Sequence, residues 1–217
     1  MISFDTFKRY WSYVLVDLMF LIGIVIHLLH PGPKLLSMLT PGFLFLTGAF
    51  VLYHSFPRKG TKFIVWVLIA YAGAFLLEVI GVATGAVFGE YSYGGTLGPK
   101  LWSVPPVIGF NWVLVIAGSM ALSMRFLKGS FMAPVLAGSI AMAFDMVLEP
   151  VAIELDYWTW SGGDIPLQNY LAWAVIGFIL ASLHSAMRLR PKKGLLMHYL
   201  LMQVLFFAVM RLTFVLA

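Results

Sequence analysis

Seven long apolar runs, at roughly 11–29, 35–53, 63–83, 106–124, 131–149, 168–187 and 195–216, divide the chain. Each approaches the ~17–25 residues that a helix needs to cross the hydrocarbon of a bilayer. Polar segments separate them, and two of these are long, at about 84–105 and 150–167. The pattern predicts an all-α, polytopic membrane bundle of about seven transmembrane helices, with residues 1–217 as one integral membrane domain. The first run reads as a span rather than a cleavable leader, because it is long, contains Asp17 and precedes no small-residue cleavage pattern.

Composition agrees: 61% of residues are hydrophobic and 11% charged, against about 45–50% and about 25% in soluble domains. With no cysteine, disulfides, thiol nucleophiles and thiolate metal sites are excluded. The net charge of +5 does not signal nucleic acid, because the basic residues are sorted by loop. Eleven fall in the N-terminal segment or the second, fourth and sixth loops: Lys8, Arg9, Arg58, Lys59, Lys62, Arg125, Lys128, Arg188, Arg190, Lys192 and Lys193. Only Lys34, Lys100 and Arg211 fall on the other side. The positive-inside rule then puts the N-terminus in the cytoplasm and the C-terminus outside. The expected location is a prokaryotic cell (inner) membrane, crossed several times.

In that topology the polar residues of the spans gather in the outer half of the bilayer. Glu78 is late in span 3, Asp145 and Glu149 late in span 5, Asn111 early in span 4, Gln168 and Asn169 at the start of span 6, Arg211 late in span 7. The long loops add Tyr91, Tyr93, Trp102, Tyr157, Trp158 and Trp160, with Trp112 and Trp173 just inside. An aromatic belt explains some of these rings, but a belt populates both interfaces, and only Trp11 and Trp66 lie at the inner one. An acidic residue at a helix centre costs ~2.5–3.5 kcal/mol on insertion scales, so the three carboxyls are expected to face the bundle interior. Structural pairing of Arg211 with Glu78 or Glu149 is the plainer alternative. Asp17 stands alone in the other half and calls for a structural partner. His27, His30, His54, His184 and His198 lack ligand spacing, and no metal is expected.

A weak internal repeat links the two long loops. Span 3 continues through "GEYSYGG" and "VPPVIGFNW", span 5 through "LDYWTWSGG" and "IPLQNYLAW", each with a Trp seven residues after its Pro. This suggests a parallel repeat about an axis normal to the membrane, with Glu78 and Asp145 as equivalent positions across one cavity. Asp145 and Glu149, at i and i+4, share a helix face, and Pro150 is expected to end the helix at Glu149. Burial and like-charged neighbours favour a neutral carboxyl beside a carboxylate. Such a group in an apolar, ring-lined pocket can protonate an unactivated alkene, hold the carbocation against ring faces and direct water to it.

The segment "EVIGVATGAVFGEYSYGGTLGPKLWSVP" (78–105), with "FDMVLEP", "YWTW" and "IPLQNYLAW", resembles the membrane carotenoid-biosynthesis family that includes the carotenoid 1,2-hydratases of lycopene-type end groups. The likeness covers roughly residues 71–190, with spans 1, 2 and 7 adding little. It implies addition of water to the terminal 1,2 double bond, with no cofactor. Glu78, Asp145, Trp158, Trp160, Asn169 and Trp173 match the family pattern. Glu149 departs from it, standing where an Asp is expected, and the loop before Pro166 is shorter and lacks a Tyr-Gly.

The expected roles follow: Asp145 as acid, with Glu78 and Glu149 as charge partners or water-orienting base. Tyr91, Tyr93, Trp102, Asn111, Trp112, Trp158, Trp160, Asn169, Trp173 and Arg211 are expected to bind substrate. The expected partners are a carotenoid within the bilayer, water as co-substrate, no nucleic acid, and other carotenoid-biosynthesis enzymes as candidates. Three rivals stand beside this reading. An end-group cyclase would use the same carbocation, and a carotenoid-binding or transport protein would lack catalysis. A seven-helix photoreceptor is disfavoured because residues 195–216 contain no lysine.

Overall fold

The computed structural model describes residues 4–29, 33–56, 60–128 and 131–216. Seven helices account for most of them: α1 Phe4–Leu28, α2 Pro33–Ser55, α3 Thr61–Thr84, α4 Pro106–Phe126, α5 Ala133–Glu154, α6 Leu167–Ala186 and α7 Lys193–Leu216. All seven are long and apolar enough to cross a membrane. His30, Arg58 and Lys59, which figured in the expectations above, lie outside the described residues, as do the side chains of Lys8, Arg9, Lys34 and Lys193.

Helix α4 is the central post. It is buried along most of its length and packs against α2, α3, α5 and α7. Helices α5 and α6 form the closest pair. A Cβ at Gly138 would meet the Ala174 carbonyl at 2.5 Å, so only glycine permits this approach. That contact brings the start of α6 alongside the end of α5, where the acidic residues lie.

Two features depart from the expectations. Helix α5 does not stop at Glu149 but runs through Pro150 to Glu154. The proline forfeits one backbone hydrogen bond, a loss that membrane helices tolerate when their neighbours re-satisfy the freed group. The long loops are also not wholly irregular. Strands β1 (Tyr91–Tyr93) and β2 (Trp158–Trp160) pair antiparallel, with Ser92 opposite Thr159 at the centre. Gly95 N donates to Asp156 Oδ2 at 2.8 Å and Gly94 N to the Tyr157 carbonyl at 2.9 Å. A Cβ at Gly94 would sit 2.2 Å from the Asp156 carbonyl, so the seam requires glycine there. Lys100 Nζ donates to the Tyr93 carbonyl.

The strand pair caps one end of the bundle. At the opposite end Lys192 N donates to the Ser55 carbonyl. In the remaining bundle His198 Nε2 lies 2.6 Å from Asp17 Oδ1, supplying the partner that the lone aspartate needed. Trp66, read from sequence as an interface ring, is instead fully buried and donates Nε1 to the Leu180 carbonyl at 3.2 Å.

Candidate active site

The strands alternate buried, exposed, buried, so Tyr91, Tyr93, Trp158 and Trp160 all point inward, beneath the cap. Their polar tips end on carboxylates. Tyr91 and Tyr93 hydroxyls donate to Glu78 Oε2 at 2.5 and 2.7 Å, and Trp112 Nε1 donates to Glu78 Oε1 at 2.9 Å. Trp158 and Trp160 Nε1 donate to Glu149 Oε2 at 3.0 and 2.9 Å, and Asn169 Nδ2 to Glu149 Oε1 at 3.0 Å. Each glutamate therefore accepts three hydrogen bonds, the arrangement that best supports a buried anion. Burial, together with the charge of Glu78, holds the Tyr91 and Tyr93 phenols above the ordinary tyrosine range, so both remain donors.

Asp145 is different. Its Oδ2 accepts from Asn169 Nδ2 at 2.6 Å, and its Oδ1 is buried with no partner among the described residues. A single amide nitrogen thus ties Asp145 to Glu149. Glu78 and Glu149 both line a cavity of about 380 Å³, whose wall is overwhelmingly apolar. Asp145 is 0% exposed and lies behind that wall rather than on it.

The internal repeat is visible in three dimensions, with a changed correspondence. Pro105 and Pro166 cap α4 and α6, and the tryptophans seven residues on, Trp112 and Trp173, stack with centroids 3.7 Å apart. The hydrogen bonds make Glu149, not Asp145, the counterpart of Glu78: each closes its helix against one strand and one neighbouring helix. In that register the α3–α4 half carries Ala74 and Ile108 where the α5–α6 half carries Asp145 and Asn169.

Of the residues expected to bind substrate, Tyr91, Tyr93, Asn111, Trp112, Trp158, Trp160, Asn169 and Trp173 line the cavity. Their first task differs from the one expected: five of the six aromatics are fixed by donating to a carboxylate, while Trp173 is held by its stack. Trp102 and Arg211 do not join the site. Trp102 is 65% exposed and packs beside Phe75, so it alone of this group fits the belt reading. Arg211 is exposed on α7 and forms no ion pair with Glu78 or Glu149, which rely on neutral donors instead. Gln168 braces the cap, donating to the Ala86 carbonyl at 2.6 Å.

Sequence reasoning missed Gln203. It lines the cavity from α7, donates to Asn111 Oδ1 at 2.9 Å, and leaves its own Oε1 buried without a partner among the described residues. A lone amide in an apolar span was the available signal. Among the described residues no set of three or more histidine or acidic side chains is arranged to hold a metal ion.

The sequence is similar to those of known proteins. Over 136 residues the chain is 32% identical to bisanhydrobacterioruberin hydratase of Haloarcula japonica. That alignment takes in 56% of this chain and 43% of the relative, so the chain spans less than half of the relative's length. No solved structure matches. The family model for carotenoid biosynthesis proteins matches residues 40–217, which includes all three carboxyls, both strands and the stacked tryptophans. The chain is therefore a member of the carotenoid biosynthesis protein family, and an integral, multi-pass membrane protein.

Proposed function

We propose that this protein is a carotenoid hydratase, adding water to the terminal 1,2 double bond of an acyclic, lycopene-type end group. The observation that carries the reading is the pair of donor-saturated glutamates on the wall of an otherwise apolar cavity, with a third carboxyl bridged to one of them. The relative's name supports hydration over cyclisation, as do the polar groups of Asn111, Asn169 and Gln203 on the same wall.

The steps follow from the donor count. Glu78 and Glu149 each receive three donors and are suited to the anionic state, whereas Asp145, with one donor and a bare Oδ1, is suited to the O–H state. Asn169 holds Asp145 and Glu149 together as one acidic unit with a single proton, which rests on Asp145 and passes to Glu149, the member on the cavity wall, before it reaches the substrate. The proton adds to the less substituted carbon of the terminal alkene, and the tertiary carbon becomes the cation. The Glu78 carboxylate and the ring faces stabilise that cation. Water adds to the tertiary carbon, and its surplus proton returns to the acidic unit. The net change is one water per end group, with no electron transfer and no cofactor in the cycle. A second reading, end-group cyclisation, shares every step up to water capture.

The chemistry sits at the strand-capped end, which this proposal places on the external side with the N-terminus in the cytoplasm. Reporter fusions at Arg58 and Arg190 should read cytoplasmic, and one after Ala217 external. Expression in a lycopene-accumulating bacterium tests the reaction. Pigment heavier by one or two waters supports hydration; pigment of unchanged mass with altered retention supports cyclisation; unaltered lycopene contradicts both.

A further inference from the structure

The cavity that holds the glutamates extends well beyond them. It continues between α1 and α2, where Ile22 and Met38 line it while being 56% and 69% exposed. Exposure of that extent beside the cavity marks this stretch of wall as open. Farther from the cap the two helices are shut by rings: Trp11 against Phe50 at 5.4 Å and Phe20 against Phe43 at 5.6 Å. Nearer the cap, Ile26 of α1 and Leu39 of α2 both line the cavity. Above, the buried Leu97 forms the roof, and Gly98 lies so close to Pro41 that a Cβ there would approach it to 2.8 Å. The opening therefore faces sideways, toward lipid.

From this we propose that the cleft between α1 and α2 is a lateral port, through which a long polyene reaches the glutamates from the bilayer. Only the end group enters the cavity during turnover, and the remaining chain stays threaded between the two helices. This rests on the proposed function for the identity of the occupant. The volume supports the division: about 380 Å³ is near the lower end of the ~300–1,000 Å³ of pockets that enclose a drug-sized ligand. A second lipid-facing groove, between α3 and α6 around Leu171 and Val175, reaches none of the three carboxyls and offers no route. Helix α1 and α2 up to Leu39 precede the region that the family model matches. The port is thus built partly from α1 and the first turns of α2, outside the matched region, and partly from the rest of α2, inside it.

The test places a photoreactive residue at Met38 or, as the competing route, at Leu171, in protein reconstituted into vesicles with radiolabelled lycopene. Labelling at Met38 with background at Leu171 is the expected result. It is paired with Gly42→Trp and Ile22→Trp, which narrow the cleft; a Cβ at Gly42 meets nothing within 4 Å, so the backbone need not shift. Both variants should lose turnover of lycopene yet keep turnover of a truncated isoprenoid with the same end group, short enough to lie inside the cavity. Labelling at Leu171 instead of Met38, or at neither, overturns the port. So does undiminished lycopene turnover in both variants, or equal loss of both substrates by variants whose melting is unchanged. If Met38 is labelled but no product from wild-type protein gains water, the port stands and the hydratase reading falls.

Discussion

The two halves around the stacked Trp112 and Trp173 are built alike and equipped differently. Each has a glutamate near the end of its first helix, a three-residue strand whose buried rings donate to it, and a proline-capped second helix. Behind Glu78 the wall is apolar, with Ala74 and Ile108; behind Glu149 stand Asp145 and the bridging Asn169. The shared parts twice bury a glutamate and give it three neutral hydrogen-bond donors. The unshared parts add a second carboxyl, and hence a place for a proton, on one side only. On this account Glu149 with Asp145 is the acid and Glu78 is the fixed counter-charge to the cation.

The largest effect should come from making the halves the same. Asp145→Ala with Asn169→Ile copies the Glu78 half onto the other, and alcohol formation should fall by at least ~10²-fold, the lower contribution of general acid catalysis. The measurement is product yield from membranes matched for protein, with retained pigment binding showing that the site still forms. Glu149→Gln should fall as far. Glu78→Gln should cost less, about 10–10²-fold, the worth of a charge-assisted contact of ~1.5–3 kcal/mol, and it should leave the proton source intact. Asn169→Leu frees Asp145 from Glu149 without removing either carboxyl. It should shift products from alcohol toward isomerised or cyclised hydrocarbon, read by chromatography of the recovered pigments.

The smallest effect belongs to the far side of the bundle. Asp17→Asn breaks a half-exposed pair with His198, and such pairs contribute ~0–1 kcal/mol. Activity should be unchanged, and the melting temperature in detergent should move by no more than a few degrees.

Much of this was legible in the sequence because charge in a membrane span is costly and must be sheltered. Glu78, Asp145 and Glu149 stood out as candidates for that reason, Trp112 and Trp173 through their spacing in the repeat, and Trp158, Trp160 and Asn169 through the family resemblance. What stayed hidden has physical causes too. The alternation in Tyr91–Ser92–Tyr93 and Trp158–Thr159–Trp160 is a strand signal, but three residues are too few to separate it from an irregular loop. The correspondence of Glu78 with Glu149 depends on which donors reach which oxygens, which the loop-and-proline pattern of the repeat does not specify. The port was invisible because Ile22 and Met38 are apolar whether they face lipid or substrate. Arg211 misled because a lone cation in a span looks like a partner for nearby acids, whereas here indole, phenol and amide groups fill that role.

The central claim, that the acid of the reaction is the Asp145–Glu149 unit, is tested most directly by turnover in deuterated water. Wild-type protein should give alcohol carrying one deuterium on the carbon beside each new hydroxyl-bearing carbon. Glu78→Gln should give less alcohol with the same label, and Glu149→Gln or Asp145→Asn should give no labelled product of any kind. Labelled alcohol from folded Glu149→Gln or Asp145→Asn protein, with loss of label confined to Glu78→Gln, would contradict the account and move the acid to the other half.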